Sequence, residues 1–161
     1  MPEGDTVWLA ARRLDACLGG ATLQSADLRV PSLATVDLSG RTVESVRSYG
    51  KHLLFRLTGG ISLHTHFRMD GTWHLYRPGR PWKGGPQWQV RAVLTTDHWQ
   101  AVGYRLPVVE LLDATGVQAL LGSHGWVFIS VIIIMLITGV LYDMLMAYLN
   151  SFFKQRAWNG I

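Results

Sequence analysis

Two residues in the opening stretch MPEGDT, Pro2 and Glu3, have the types that amine-based covalent chemistry requires. If Met1 is removed, Pro2 carries a secondary amine at a free N-terminus. α-Amino groups titrate near neutrality, well below a lysine ammonium, so a useful fraction is unprotonated at neutral pH. Such an amine attacks an aldehyde-like carbon and forms an iminium. Glu3 stands beside it as a general acid or base. The plainer reading is an ordinary Met-Pro start with a solvated glutamate, and two residues alone do not separate the readings. Lys51, in SYGKHLLF, follows a glycine and precedes an apolar run. Rigid backbone at a strand start would hold its ammonium for a phosphate or a carboxylate. An ordinary surface lysine fits the same stretch.

The segment LHTHFRMDGTWHLY adds a second group of candidates. Arg68-Met69-Asp70-Gly71 reads as a tight turn after a strand that ends near Phe67. A long apolar Met beside an Arg at a loop tip suits a wedge that enters a base stack when a nucleotide is extruded. A Met folded back onto the core is the other reading. His52, His64, His66, His74 and His98 invite a metal reading, and His64 and His66 share one strand face. No third ligand is placed with them, which favours hydrogen-bonded or phosphate-facing histidines.

These residues need a frame. Residues 5 to 18 read as a helix, with Asp5 and Thr6 as N-cap candidates and Val7, Ala10, Ala11, Leu14 and Leu18 as an apolar stripe. Gly19-Gly20 stops it. The period then changes to two. HLLFRL places Leu53, Phe55 and Leu57 on one face; ISLHTHF places Ile61, Leu63, Thr65 and Phe67 on one face, with His64, His66 and Arg68 opposite. Thr58-Gly59-Gly60 between them signals a hairpin. WQVRAVL puts Trp88, Val90, Ala92 and Leu94 together, and WQAVGYRL and VVELL read as two further strands. Arg77 to Pro86 is a basic loop, since Pro and Gly crowd it. The fold class expected is mainly β: an N-terminal helix and a β-sandwich or barrel.

Composition divides the chain. Fifteen Lys and Arg against eleven Asp and Glu give a formal charge of +4, a mild leaning toward polyanions. Cys17 is the only cysteine, which excludes an internal disulfide and a thiolate zinc cluster. No apolar signal segment opens the chain. Beyond Asp113 the only Asp, Glu, Lys or Arg are Asp143, Lys154 and Arg156, and Gly125 to Tyr142 is an uncharged run of 18 residues. That run reaches the lower limit for a membrane span. The expected organisation is a domain over 1–112, a linker over 113–124, and a long apolar helix over 125–153 with a short basic tail to 161.

Met-Pro-Glu-Gly at the start, Gly-Lys-His-Leu-Leu near position 50 and His-x-x-Met-x-Gly-x-Trp near position 70 occur together and in this order. The set resembles the N-terminal domain of the formamidopyrimidine-DNA glycosylase/endonuclease VIII family, in its actinobacterial endonuclease VIII form, over about residues 1 to 112. The stretches LRVP, VDLSG, GKHL and MDGTW match that type too. The resemblance implies base-excision DNA repair of oxidised bases by a bifunctional glycosylase and abasic-site lyase. It makes Pro2 the nucleophile on the sugar, Glu3 the acid that helps open the ring, and Lys51 a catalytic-site contact to the damaged-strand phosphate. It makes Met69 the filler of the gap left by the flipped base, with Arg68, His66 and Arg105 as further DNA contacts. No cofactor or metal is implied; the partner is damaged double-stranded DNA, and the location is the cytoplasm. The family's helix–two-turn–helix domain and finger have no counterpart after Asp113. The tail weakly resembles the last span of a bacterial permease subunit. An incomplete glycosylase domain joined to an unrelated segment by fusion or frameshift is the expected origin. A membrane-anchored, non-enzymatic β-sandwich is the alternative.

Overall fold

The computed structural model describes residues 4–122, 138–139, 142–143 and 146–149. Helix α1 spans Gly4–Leu18 and buries Val7, Ala11, Leu14 and Leu18. These are one helical stripe, so the expected apolar face is the packed face. Asp5 lies in the first turn rather than capping it, where a carboxylate suits the helix dipole. The helix ends as expected at Gly19-Gly20, with Gly20 at φ +78°. Near its end Asp15 does two jobs. One carboxylate oxygen accepts from the Val46 amide at 2.7 Å and the other from Arg47 at 3.1 Å, which fixes α1 to a neighbouring strand.

Eight strands follow: β1 (Ser25–Leu28), β2 (Val43–Tyr49), β3 (His52–Leu57), β4 (Ile61–His66), β5 (Thr72–Tyr76), β6 (Val90–Thr95), β7 (Gln100–Tyr104) and β8 (Val108–Leu112). They form two four-stranded antiparallel sheets, ordered β1-β6-β7-β5 and β2-β3-β4-β8. The main core holds Leu53, Phe55, Leu57 and Leu63 from the second sheet with Ala92, Leu94 and Ala101 from the first, closed by the stripe of α1. Each fully buried Leu or Phe here contributes on the order of 1.5–3 kcal/mol. The two-residue alternation of β3 and β4 therefore points the way the sequence predicts. His52, Leu54 and His64, His66 are left on the outer side of the second sheet, where Leu54 pairs with His64 and His52 with His66.

One alternation breaks. Trp88 lies in a short 3-10 turn (Gln87–Gln89) and is 73% exposed, not on the face of β6. The register of β6 against β7 then shifts between Val90 and Ala92, a β-bulge that takes up Arg91. A bulge inverts side-chain parity. Val90 and Val93 consequently join Val102 and Tyr104 in a small second cluster, while Ala92 and Leu94 face the main core.

The chain divides into two compact units, Met1–Gln118 and Ala119–Ile161. Residues 114–122, inside the segment expected as a linker, are helical, and Asp113 caps them by accepting from the Gly116 amide at 2.7 Å. The apolar helix expected over 125–153 falls mostly outside the described residues; positions 138–139, 142–143 and 146–149 are helical. Among the described residues no helix is long and apolar enough to cross a membrane, so the membrane-anchor reading has no structural support.

Candidate functional site

Gly50 and Lys51 are the two loop residues of the β2–β3 hairpin, between the paired Tyr49 and His52. Gly50 has φ +59°, which a tight two-residue hairpin favours at its first loop position. Lys51 thus stands in the turn, one residue before the strand start expected for it. The turn is anchored, because the Lys51 carbonyl accepts from the Phe67 amide at 3.2 Å. A surface cleft of about 530 Å³ is lined by Gly4, Asp5 and Trp8 of α1 and by Ser48 and Gly50. The fold therefore sets the first turn of α1 against the turn that carries Lys51. Pro2 and Glu3 lie outside the described residues.

Next to Lys51 the outer face of the second sheet carries a hydrogen-bonded line of side chains. His52 Nδ1 lies 2.8 Å from His64 Nε2, and His64 Nδ1 lies 2.7 Å from Glu110 Oε1. The His66 ring meets the His52 ring edge-on at 4.5 Å, and its Nδ1 accepts from the Arg68 amide at 3.0 Å. Burial holds the His66 imidazole below its usual range, and nearby His64, Arg68 and Lys51 lower it further. Lys51, His66 and Arg68 therefore share one electrostatic neighbourhood. His52 Nδ1 and both His64 nitrogens point at one another and at Glu110, and His66 Nδ1 points at the Arg68 amide, rather than at a common centre. Among the described residues no three His, Cys, Asp or Glu side chains form a metal-binding group.

The chain leaves the second sheet through Phe67 and enters the first at Thr72. Phe67 is buried and Met69 is 52% exposed, so the methionine is not folded back onto the core. The Gly71 amide bonds the Phe67 carbonyl at 2.8 Å and closes the turn. A Cβ on Gly71 would sit 2.6 Å from that oxygen, so the turn requires glycine. Arg68 has φ +46° and Arg105 φ +50°; among the described residues these are the two non-glycine positions with positive φ. Each such conformation costs on the order of 1–3 kcal/mol and persists where its surroundings hold it. Here the second of them reaches the turn that follows the first. Arg105 Nε donates to the Asp70 carbonyl at 3.1 Å and Nη1 donates to Gln89 Oε1 at 2.8 Å. Arg105 thus braces the Met69 turn, a role that its position in the sequence does not announce.

Sequence reasoning missed Glu110 and Gln89. Glu110 is one acid in VVELL, and only the pairing of β4 with β8 sets it opposite His64. Gln89 precedes a strand and bonds across to Arg105 through both its backbone and its side chain.

Residues 1–105 match the family of the formamidopyrimidine-DNA glycosylase N-terminal domain. The chain is 54% identical over 125 residues to a probable endonuclease 8 2 of Streptomyces coelicolor, covering 78% of this chain and 45% of that protein. It is 46% identical over 113 residues to the DNA-(apurinic or apyrimidinic site) lyase Nei2 of Mycolicibacterium smegmatis, covering 70% and 42%. A crystal structure of wild-type Lactococcus lactis Fpg (MutM), in complex with DNA containing N7-benzyl-Fapy-dG, has the same fold. The TM-score is 0.64 at 20% identity, over 76% of this chain and 48% of that one. The chain spans less than half the length of each of these proteins. The family match, the sandwich and the identities agree: this chain belongs to the formamidopyrimidine-DNA glycosylase/endonuclease 8 family, whose N-terminal domain it carries.

Proposed function

We propose that the domain acts in base-excision repair, as the Pro2-bearing part of a DNA glycosylase and abasic-site lyase. The observation that carries the reading is the shared cleft of the α1 start and the Lys51 turn, in a chain whose first 105 residues match this family. Consecutive Cα atoms are about 3.8 Å apart, so Pro2 is tethered within roughly 8 Å of Gly4 in the cleft wall. After removal of Met1, the Pro2 amine attacks the sugar anomeric carbon, and the bond to the damaged base breaks. Glu3 gives a proton to the ring oxygen, and the open sugar is held as an iminium on Pro2. Elimination of the flanking phosphates then nicks the strand, and hydrolysis frees the amine. Lys51 pairs with the damaged-strand phosphate, where a charge-assisted contact is strong. Met69 fills the gap left by the extruded base, and Arg68, His66 and Arg105 contact the backbone around it. The exposure of Met69 and the brace of its turn by Arg105 support that assignment.

Borohydride trapping on a duplex with an abasic site tests this directly. The Met-processed full chain is expected to give a covalent adduct, and Pro2→Gly to give none. Absence of an adduct from the processed chain sinks catalysis by these 161 residues on their own. Equal trapping by Pro2→Gly sinks the nucleophile assignment.

A further inference from the structure

The proposed chemistry leaves Trp8 without a task. Of the tryptophans the structure describes, Trp73, Trp82 and Trp99 pack against the two apolar clusters, whereas Trp8 and Trp88 are exposed. Trp88 stands on the turn before β6. Trp8 follows Val7 on α1 and so lies off the buried stripe of that helix, with 50% of its surface exposed. The Arg12 guanidinium, one turn further on, lies over the Trp8 ring at 5.2 Å from the centroid. Residues four apart are neighbours on a helix, and a cation over an indole face is attracted to it. Arg12 thus steadies the ring and covers one of its two faces. The same tryptophan lines the cleft that α1 shares with the Lys51 turn.

The make-up of that cleft narrows its guest. Gly4 and Gly50 bring no side chains, Ser48 brings a hydroxyl, Asp5 a carboxylate and Trp8 an aromatic ring. None of these described lining residues is a cation, and a carboxylate in the wall disfavours a phosphate inside. A carboxylate accepts hydrogen bonds and a hydroxyl both accepts and donates. A flat, neutral group with N–H donors on its edge suits this set, its face against Trp8 and its edge toward Asp5 and Ser48. The volume, about 530 Å³, falls within the range of small-ligand pockets. An extruded base is such a group, and enzymes that flip bases read them by stacking and by hydrogen bonds to the edge. The walls of the cleft also end where the reaction needs them. Gly4 is two residues from Pro2, and Gly50 directly precedes Lys51. A nucleotide with its sugar at Pro2 and its phosphate at Lys51 presents its base to the wall between them.

We propose that Trp8 is the surface on which the extruded damaged base stacks, with Asp5 and Ser48 reading the edge of that base. The inference rests on the repair reading and adds a division of labour to it. An abasic site keeps the sugar and the phosphates but has no base, so Trp8 has nothing to stack on there. Trp8 therefore serves release of the base and is dispensable for the lyase step that follows.

Single-turnover kinetics of the Met-processed full chain read the two steps apart. Base release is followed on duplexes carrying 5-hydroxyuracil or 8-oxoguanine, one flat oxidised base of each ring size. Borohydride trapping is followed on a duplex with a preformed abasic site. Trp8→Ala is expected to slow base release by roughly five- to a hundredfold, the range for one lost base–aromatic stack. Trapping on the abasic duplex is expected to be unchanged, which also shows that the variant is folded. Trp8→Phe keeps a ring and should recover much of the rate. Equal losses of base release and trapping in Trp8→Ala overturn the proposal, since the ring would then be supporting the start of α1 rather than the base. Unchanged base release overturns it as well, and so does a parent chain that traps the abasic duplex and releases neither base. A parent that forms no adduct with the abasic duplex overturns the repair reading itself, and this inference falls with it.

Discussion

The two sheets of the sandwich bury similar inner faces, and their outer faces are put to opposite uses. On the first sheet the bulge of β6 turns Val90 and Val93 outward to meet Val102 and Tyr104, with Tyr76 and Trp82 packed against them. The basic loop covers this cluster. Trp82 Nε1 donates to Gln100 Oε1 at 2.7 Å, and Gly84 lies so close to the Tyr104 ring that a Cβ would sit 2.5 Å from it. Burial, reinforced by Tyr76, pushes the Tyr104 hydroxyl up to about 12, which keeps it protonated across the physiological range. On the second sheet the outer face carries His52, His64, His66 and Glu110, and the Lys51 turn closes one end of it. One outer face is a second small core; the other is a line of titratable groups. Substitutions on the first should act on stability, and substitutions on the second on DNA.

The largest separation is expected at Lys51. Loss of a charge-assisted phosphate contact costs about 1.5–3 kcal/mol, so Lys51→Ala should weaken affinity for an abasic-analogue duplex roughly ten- to a hundredfold. Its thermal unfolding should barely change, since surface substitutions mostly stay within about 0.5 kcal/mol. Lys51→Arg keeps the charge and should keep part of the affinity. A Lys51→Ala chain that binds normally, or that unfolds much earlier, breaks the division of labour between the faces.

Gly84→Val is the mirror experiment. Its Cβ would meet Tyr104 Cε2 at 2.5 Å and His74 Cδ2 at 2.9 Å. Overpacking of this kind costs about 1–3 kcal/mol, seen as a lower unfolding midpoint. Borohydride trapping below that midpoint should stay within about twofold of the parent, since the new side chain meets Tyr104 and His74 of the covered face and not Lys51, His66 or Met69. Equal damage to trapping and stability would mean that the covered face also serves the DNA site.

How much of this contrast the chain announces depends on the kind of signal each part uses. Helix α1, the Gly59-Gly60 hairpin and the strands β3 and β4 were legible because local chemistry and two-residue alternation agree there. Strands β1, β2 and β5 carry no clean alternation. In β2 the register shifts between Val43 and Ser45, so its buried residues, Val43 and Val46, are three apart and lose the strand period. In β5 every residue is half-buried. The candidate residues Lys51, His66, Arg68 and Met69 lie in or beside the motifs, Arg105 lies in none of them, and the fold gathers Lys51, His66 and Arg68. What the sequence withholds is partnership across long separations. His64 and Glu110 are 46 residues apart, and Asp70 and Arg105 are 35 apart. No local pattern encodes those pairings, because they follow from strand order and register.

Met69 tests the edge between the two sheets. It is 52% exposed, so Met69→Ala removes little core packing and should leave stability unchanged. If the side chain fills a vacated base position, the duplex affinity should fall by about 1 kcal/mol, roughly fivefold, a fraction of the unstacking energy it offsets. Gly71→Ala should produce the same loss by a different route, since its Cβ meets the Phe67 carbonyl and displaces the turn. Should Met69→Ala destabilise the fold and leave binding intact, the residue belongs to the packed side of the comparison.

The smallest effect expected is a pH dependence at His66, and its sign follows from the causes. Burial comes first in lowering its imidazole, followed by His64, Arg68 and Lys51. In the folded chain, then, His66 releases its proton more readily than an unfolded histidine, which titrates near about 6.5. Its contribution to stability is full above that value and is lost as pH falls toward the lowered folded value, because the unfolded state binds more protons. A phosphate drawn to Lys51 and Arg68 offsets their charges, though not the burial, so the imidazole rises on binding and takes up protons. Affinity for the duplex should therefore increase as pH falls below about 6.5, by a factor of roughly two to three for a rise of half a unit. His66→Gln should flatten that component. An affinity that falls with pH in the parent, or an unchanged slope in His66→Gln, would place His66 outside the phosphate path.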